Sequence, residues 1–205
     1  MKPMEIEQKS FAIIAEELGE RRIDPEYDLL VRRVIHTTAD FDYYDNLCFS
    51  PHAVLTTAAA LKSGCALVTD TTMAQAGINK RALAALGCRT YCFIADEDVA
   101  REAKERGETR SYVAVEKAAR TIKEPILFAV GNAPTALFSI CRLIRAGQLS
   151  PAMVIGVPVG FVNVVEAKEE LMKTAENYIV ARGRKGGSNV AAAIVNSVLY
   201  RLTER

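Results

Sequence analysis

Four polar turns follow short apolar runs of the sequence, and their residue types suit the binding of anions. They are 70–74 (DTTMA), 131–135 (GNAPT), 156–163 (GVPVGFVN) and 182–189 (RGRKGGSN). Glycine lets the backbone approach a ligand closely, and the free amides of a helix N-terminus favour a negatively charged ligand. A small phosphate would need only one such turn, so four of them predict a larger ligand with several anionic groups.

The last of these turns has the clearest local signal. Gly186 and Gly187 would admit a ligand to the backbone, while Arg182, Arg184 and Lys185 would supply charged hydrogen-bond donors. A tight turn with a solvated basic rim explains the same residues. The residues do not follow the order of a Walker A loop, and no strand leads into the G-x-G-x-x-G of dinucleotide-binding sheets. Nothing here predicts a nucleotide site.

His36, one of two histidines, is the candidate for proton transfer. It follows Arg33 by three residues and Arg32 by four, so all three share one face near the end of a predicted helix. A helix C-terminus stabilises a protonated imidazole by roughly 0.3–1 kcal/mol, which suits a proton donor. A histidine that is only packed or surface-exposed is the alternative interpretation. His52, at a predicted helix start, is interpreted as structural or exposed.

Other common centres lack their sequence signatures. Asp40, Asp42 and Asp45 lie close together, but the glycine and closing glutamate of a calcium loop are missing, so a solvated loop is predicted. The five cysteines lack zinc-ligand spacing, and no G-x-S-x-G nucleophile elbow is present. We therefore expect no metal bound by the protein itself.

The elements that must position the four turns are predicted from the alternation of apolar runs with helical stretches. Runs at 65–69, 89–94, 126–130, 152–155 and 178–181 predict five strands of a mainly parallel sheet, because continuous apolar strands separated by helices are covered on both faces. The predicted fold is a three-layer α/β/α single domain over residues 1–205. In such a sheet all four turns lie at one edge, where ligands bind near the reversal of strand order.

Helices are predicted before the sheet begins. One covers 4–20, a second opens at Asp24-Pro25 with an N-cap followed by proline, and a third runs from 50 to 64. The segment 41–50 between them has no clear period and is interpreted as a loop or short strand.

Composition excludes several classes of protein. The chain has 205 residues, with 26 Lys plus Arg against 25 Asp plus Glu, so it lacks the basic field of a general nucleic-acid binder. Its apolar runs are far shorter than the roughly 20 residues of a membrane helix. No secretory signal is visible, so we expect a cytoplasmic protein without a membrane or nucleic-acid partner.

Five ordered segments form the most specific pattern in the chain. They read QKSFAIIAEEL, VRRVIHTT, GNAPTALF, GVPVGFVNVVEAKEEL and RGRKGGSNVAAAIVNS. Together, across most of the chain, they resemble the precorrin-8X methylmutase family, which includes cobalt-precorrin-8 methylmutases. The resemblance implies an α/β/α homodimer with active sites at the subunit interface. It also implies an isomerase of cobalamin biosynthesis that moves a methyl group from C-11 to C-12 of a corrin-like ring, giving hydrogenobyrinate or cobyrinate.

The resemblance also implies roles for individual residues. The family's catalytic histidine falls on His36, and its substrate-contacting serine and arginine fall on Ser10 and Arg33. A macrocycle with several carboxylate arms would also fit the four turns. From these turns the candidate substrate-binding residues are Thr71, Thr72, Gly131, Asn132, Thr135, Gly156, Val159, Gly160, Arg182, Gly186, Gly187 and Ser188.

Some questions stay open from the sequence. No cofactor is implied, since cobalt, where present, belongs to the substrate, and the segment 70–80 (DTTMAQAGINK) favours the cobalt-containing branch. A carrier that binds a tetrapyrrole and hands it to a neighbouring enzyme of the pathway would use the same pocket. The presence of His36 favours catalysis over carriage.

Overall fold

The sheet has six strands within residues 3–203, the part of the chain that the computed structural model describes. The strands are β1 Leu47–Phe49, β2 Ala66–Thr69, β3 Arg89–Tyr91, β4 Ile126–Val130, β5 Met153–Gly156 and β6 Tyr178–Ala181. Their order is β1-β6-β5-β4-β2-β3, and every neighbouring pair is parallel except β1 with β6. The five predicted strands are all present, and β1 resolves the ambiguous segment 41–50 as an added antiparallel edge strand.

Helices cover both faces of the sheet, which confirms the predicted three layers. They are α1 Pro3–Leu18, α2 Asp28–Thr38, α3 Tyr43–Asn46, α4 Ala53–Lys62, α5 Thr72–Gly77, α6 Lys80–Ala85, α7 Glu97–Arg106, α8 Arg110–Thr121, α9 Pro134–Arg145, α10 Val164–Thr174 and α11 Ser188–Leu202. Alternate residues of each strand point into two separate cores. Leu127 and Ile155 pack towards α2, α4 and α11, whereas Phe128 and Val154 pack towards α8, α9 and α10.

The predicted start of the second helix is wrong. Asp24 does accept a hydrogen bond from the Glu26 amide, at 2.8 Å, but the chain first makes a turn there. The Asp24 carbonyl accepts from the amides of Tyr27 and Asp28, and α2 begins only at Asp28. Asp24-Pro25 therefore opens a turn that leads into the helix, and the C-terminal half of α2 keeps the predicted position of His36.

The chain packs α2 directly against α11, and α1 against α2. Because α11 follows the turn after β6, this packing brings the end of α2 to the edge of the sheet where the parallel strands end. The predicted turns and the predicted histidine thus come from distant parts of the sequence to one end of the molecule.

Candidate active site

His36 lies in the last turn of α2 with its side chain exposed. Its ring packs edge-on against Phe11 of α1, with the ring centroids 5.5 Å apart. With Ser10, Ile13 and Phe41 it lines a cavity of about 370 Å³ between α1 and the end of α2. No hydrogen bond joins its ring nitrogens to another group of residues 3–203, so no protein partner within that range occupies either nitrogen.

Ser10 lies in the same cavity as His36, on the neighbouring helix. Its hydroxyl donates to the Ile6 carbonyl one turn earlier, at 3.0 Å. A hydroxyl that donates to its own helix still has lone pairs that can accept a hydrogen bond from a ligand. The structure therefore brings together the histidine that the resemblance makes catalytic and the serine that it makes substrate-contacting.

Arg33 faces the other side of Phe11. Its guanidinium pairs with Glu7 at 2.5 Å and lies over the rings of Phe11 and Tyr200, 5.3 and 5.0 Å from their centroids. Only 11% of its side chain is exposed, and its Nε is buried without a hydrogen-bond partner among the described residues. Arg33 lines a separate cleft of about 710 Å³ with Arg81. Its charge is thus already partly neutralised, while one donor is left to satisfy.

A second cleft beside α2 is formed with the turns after β5 and β6. Its volume is about 350 Å³, and Thr37 and Thr38 face Val159, Lys185 and Gly186 across it. The residues that follow His36 therefore meet two of the predicted turns, as a site at this edge of the sheet requires.

Lys185 forms two ion pairs at this second cleft. Its Nζ lies 2.6 Å from a carboxylate oxygen of both Asp40 and Asp42, in the segment after α2. The Lys185 ammonium lowers the pKa of Asp40 below its ordinary value. The ion pairs link the turn after β6 to the end of the helix that carries His36.

The amides after β4 are not free, and this part of the prediction is wrong. The buried carboxylate of Asp70 accepts hydrogen bonds from the amides of Gly131, Asn132 and Ala133 at 2.9, 2.7 and 2.7 Å. Burial raises the pKa of Asp70, and the three amides oppose that rise because they stabilise the ionised form. An internal carboxylate occupies the positions at which a substrate carboxylate was expected.

Glycines of the turns serve contacts within the protein. A Cβ on Gly131 would come within 2.6 Å of Ser188 Cα, and one on Gly186 within 2.1 Å of the Val157 carbonyl oxygen. Gly156 lies beneath Leu171 of α10, whose Cδ2 would be 2.5 Å from an added Cβ. These three glycines let protein segments approach each other, which corrects the expectation that they bring backbone to a ligand.

The remaining residues taken from the turns fall into two groups. Some are engaged within the protein through their side chains: Thr71 Oγ1 and Ser188 Oγ share a hydrogen bond of 2.8 Å, Thr135 Oγ1 accepts from Thr109 at 2.7 Å, and Arg182 pairs with Glu169 at 2.8 Å. Two glycines are engaged through their backbone amides. The Gly187 amide donates to the Val157 carbonyl, and the Gly160 amide donates to the Arg184 carbonyl. Others are exposed and their side chains make no hydrogen bond or ion pair within residues 3–203: Thr72, Asn132 and Val159. This second group stays the better set of candidates for ligand contact.

Sequence reasoning missed Lys168, a completely buried lysine of α10. Its Nζ donates to the carbonyls of Gly183 and Lys185 at 2.8 Å each, directly beneath the turn after β6. Burial lowers the pKa of Lys168 to about 8. A lysine within a charged helical segment reads as solvent-exposed, so the sequence held no signal for this contact.

Across residues 3–203, no three His, Cys, Asp or Glu side chains are grouped so that they could hold a metal ion. Over the same residues, no helix combines the length and the apolar character needed to cross a membrane.

The chain is similar to known proteins over nearly its whole length. The family model described as "Precorrin-8X methylmutase" matches residues 5–201. A cobalt-precorrin-8 methylmutase of Salmonella typhimurium is 48% identical, over 98% of this chain and 97% of the relative. One of the same name from Leptospira interrogans is 44% identical, over 98% and 94%.

A solved structure shows the same fold. The crystal structure of a precorrin-8x methyl mutase from Thermus thermophilus superposes with a TM-score of 0.87 at 37% identity, covering 96% of both chains. The family model, the relatives and this structure agree on one family and one fold over nearly the whole chain. The chain belongs to the precorrin-8X methylmutase family, whose members are isomerases that transfer a methyl group within one molecule.

Proposed function

We propose that this protein moves a methyl group from C-11 to C-12 of precorrin-8X or its cobalt complex, and that His36 is the catalytic acid. The observation that carries the proposal is the exposed His36, whose nitrogens are unengaged within residues 3–203 and which shares a cavity with Ser10. The cavity supports catalysis over a merely exposed histidine, because a ligand bound beside Ser10 would meet the imidazole.

The reaction needs no group from outside the substrate. The bond between the methyl carbon and C-11 breaks as the bond to C-12 forms, in a [1,5]-sigmatropic shift. His36 donates a proton to the conjugated ring system, which makes C-12 a better acceptor for the migrating methyl, and takes the proton back afterwards. A positioned acid contributes about 10²–10⁴-fold, so binding in a reactive ring geometry supplies part of the remainder.

The exposed residues of the turns suit the substrate's two kinds of surface. Val159 and Phe161 are 47% and 83% exposed, and they offer apolar contact to a flat ring. Arg184 lies over the Phe161 ring at 5.5 Å and, with Lys185, would meet the carboxylate arms through charge-assisted hydrogen bonds. These groups replace the amides that Asp70 occupies.

We further propose the cobalt-containing substrate, because both relatives described above are named for it. In this proposal the cobalt enters as part of the substrate, and the protein uses no cofactor of its own. A cytoplasmic location and hand-over of the product to a neighbouring enzyme of the pathway complete the proposal.

A homodimer with the active site at its interface fits the exposed face of α1. Ile6 and Ile13 are 50% and 45% exposed, and Ile13 lines the cavity of Ser10 and His36. A second subunit placed on α1 would bury both side chains and close that cavity. Light scattering coupled to gel filtration tests this, and a monomeric mass for an active enzyme would contradict it.

The experiment is a visible-spectrum time course with precorrin-8X and with its cobalt complex. Methyl migration changes the conjugation of the ring, so turnover shifts the spectrum. Wild type and His52→Ala, the matched control at the other histidine, should convert substrate at similar rates. His36→Ala should be slower by about 10²–10⁴-fold while it still binds the corrinoid. Normal turnover by His36→Ala would refute its role, and binding without conversion by wild type would favour a carrier.

A further inference from the structure

Lys168 is a buried cation with no carboxylate partner among the described residues. It lies in the middle of α10, and its Nζ reaches the carbonyl oxygens of Gly183 and Lys185 at 2.8 Å each. Isolated buried charges are costly unless hydrogen bonds compensate them. Desolvation lowers the pKa of Lys168, which is a direct sign of that cost. The two carbonyls are therefore what keeps a cation in this position.

The turn 182–187 has an irregular backbone whose carbonyls need donors. Those of Gly183 and Lys185 accept from Lys168, and the intervening carbonyl of Arg184 accepts from the Gly160 amide at 3.1 Å. Three successive carbonyls are thus satisfied from beneath and from the turn after β5. Without Lys168, two of these partly buried carbonyls would lose their donor, which is unfavourable.

The other side of this turn forms the wall of the cleft beside α2. Lys185 and Gly186 line it, and the Lys185 ammonium holds Asp40 and Asp42 in the segment after α2. The backbone of the turn therefore sets where the Lys185 and Arg184 side chains begin, and Lys168 is the side chain that contacts this backbone from below.

We propose that Lys168 is a positioning residue for substrate binding: from beneath the sheet edge its ammonium fixes the turn 182–187 so that the turn's cations meet the substrate carboxylates. Lys168 itself does not touch substrate. The inference deepens the proposed function and rests on it for the identity of the ligand. In this proposal the turn after β6 binds the substrate, whereas His36, on α2, transfers the proton.

The kinetic test compares Lys168→Met with Lys173→Met. Methionine fills the space without donating, and Lys173 is an exposed lysine of the same helix. With cobalt-precorrin-8 as substrate, Lys168→Met should raise KM about tenfold and leave kcat within about twofold, because the turn binds the arms while His36 does the chemistry. Lys173→Met should match wild type. A fall in kcat with unchanged KM would overturn the proposal.

A second readout needs no substrate. Trypsin cleaves after lysine and arginine, and the turn offers Arg182, Arg184 and Lys185. Released from Lys168, the turn should be cut about fivefold faster than in wild type or Lys173→Met, with the sites identified by mass spectrometry. Lys168→Arg, which keeps a charged donor, should restore protection. Equal cleavage of folded Lys168→Met and wild type would overturn the proposal.

The two readouts distinguish a failure of the proposed function from a failure of the proposed role of Lys168. If Lys168→Met is cleaved faster but wild type does not convert the corrinoid, the proposed function is refuted, while the contact by which Lys168 fixes the turn is supported. Faster cleavage with an unchanged KM would refute the role in binding. Should Lys168→Met not fold, Lys168→Gln carries both tests, because its uncharged amide is one bond shorter than the lysine side chain and does not reach both carbonyls.

Discussion

Gly186 gives the sharpest test of how the turns after β5 and β6 fit together. An added Cβ would lie 2.1 Å from the Val157 carbonyl oxygen and 2.8 Å from that of Pro158. Ordinary contact begins at 3.4 Å, so Gly186→Ala must separate the two turns by about 1.3 Å. Both obstacles are backbone atoms, and no flexible side chain can move aside to relieve the contact.

The same separation removes a hydrogen bond. The Gly187 amide donates to the Val157 carbonyl at 2.9 Å, and a shift of this size takes the pair beyond hydrogen-bonding distance. Overpacking costs about 1–3 kcal/mol, and the lost hydrogen bond about 1 kcal/mol more. For about 3 kcal/mol in total, the melting temperature should fall by roughly 6–12 °C. A displacement near 1 Å at the site can lower kcat/KM by about 10²-fold.

The assay combines thermal unfolding with corrinoid turnover. Gly183→Ala is the control in the same turn: its φ is +81°, but nothing lies within 4 Å of an added Cβ. It should show the modest strain of a left-handed alanine, about 1 kcal/mol, without forcing the turns apart. If Gly186→Ala kept wild-type stability and activity, the close approach of the two turns would not matter, and the argument from this contact would be refuted.

Two further predictions concern the charged side chains of Asp70 and Arg33. Asp70→Ala leaves two buried amides and one partly buried amide without an acceptor but also removes a buried carboxylate, so we expect the free energy of unfolding in urea to fall by about 2–4 kcal/mol. An unchanged unfolding midpoint would mean that the Asp70 contacts contribute nothing to stability. Arg33→Ala removes the pair with Glu7 and the contacts with two rings, and it should weaken corrinoid affinity more than kcat. Unchanged affinity in a titration would contradict the role of Arg33.

Much of the fold follows from local pattern, since long apolar runs mark buried parallel strands. The runs 126–130 and 178–181 coincide with β4 and β6. The run 89–94 was too long, because β3 pairs only with β2, which ends one residue after the partner of Tyr91. Three-residue β1 is too short to show a period, and only its pairing with β6 makes it a strand.

The site was predictable in its place but not in its internal contacts. Parallel strands must end at one edge, so the meeting of the turns follows from topology alone. The contact of Asp70 with the Gly131 amide joins residues 61 positions apart, and that of Lys168 with Gly183 joins two separate elements. Neither pairing leaves a periodic signal in the sequence. Some charged residues that the sequence suggests for ligand binding are therefore engaged in contacts within the protein.

Asp70 lies at the point where the order of the strands in the sheet reverses. The chain runs from β2 outward to β3 and then returns to the other side of β2 to form β4. Sheets of this kind leave a crevice at such a reversal, and nucleotide phosphates commonly bind in it. Here the Asp70 carboxylate accepts hydrogen bonds from the amides of Asn132 and Ala133, just before α9 begins. A carboxylate of the protein itself therefore fills this part of the crevice, and the surface left for a foreign ligand lies towards β5, β6 and α2.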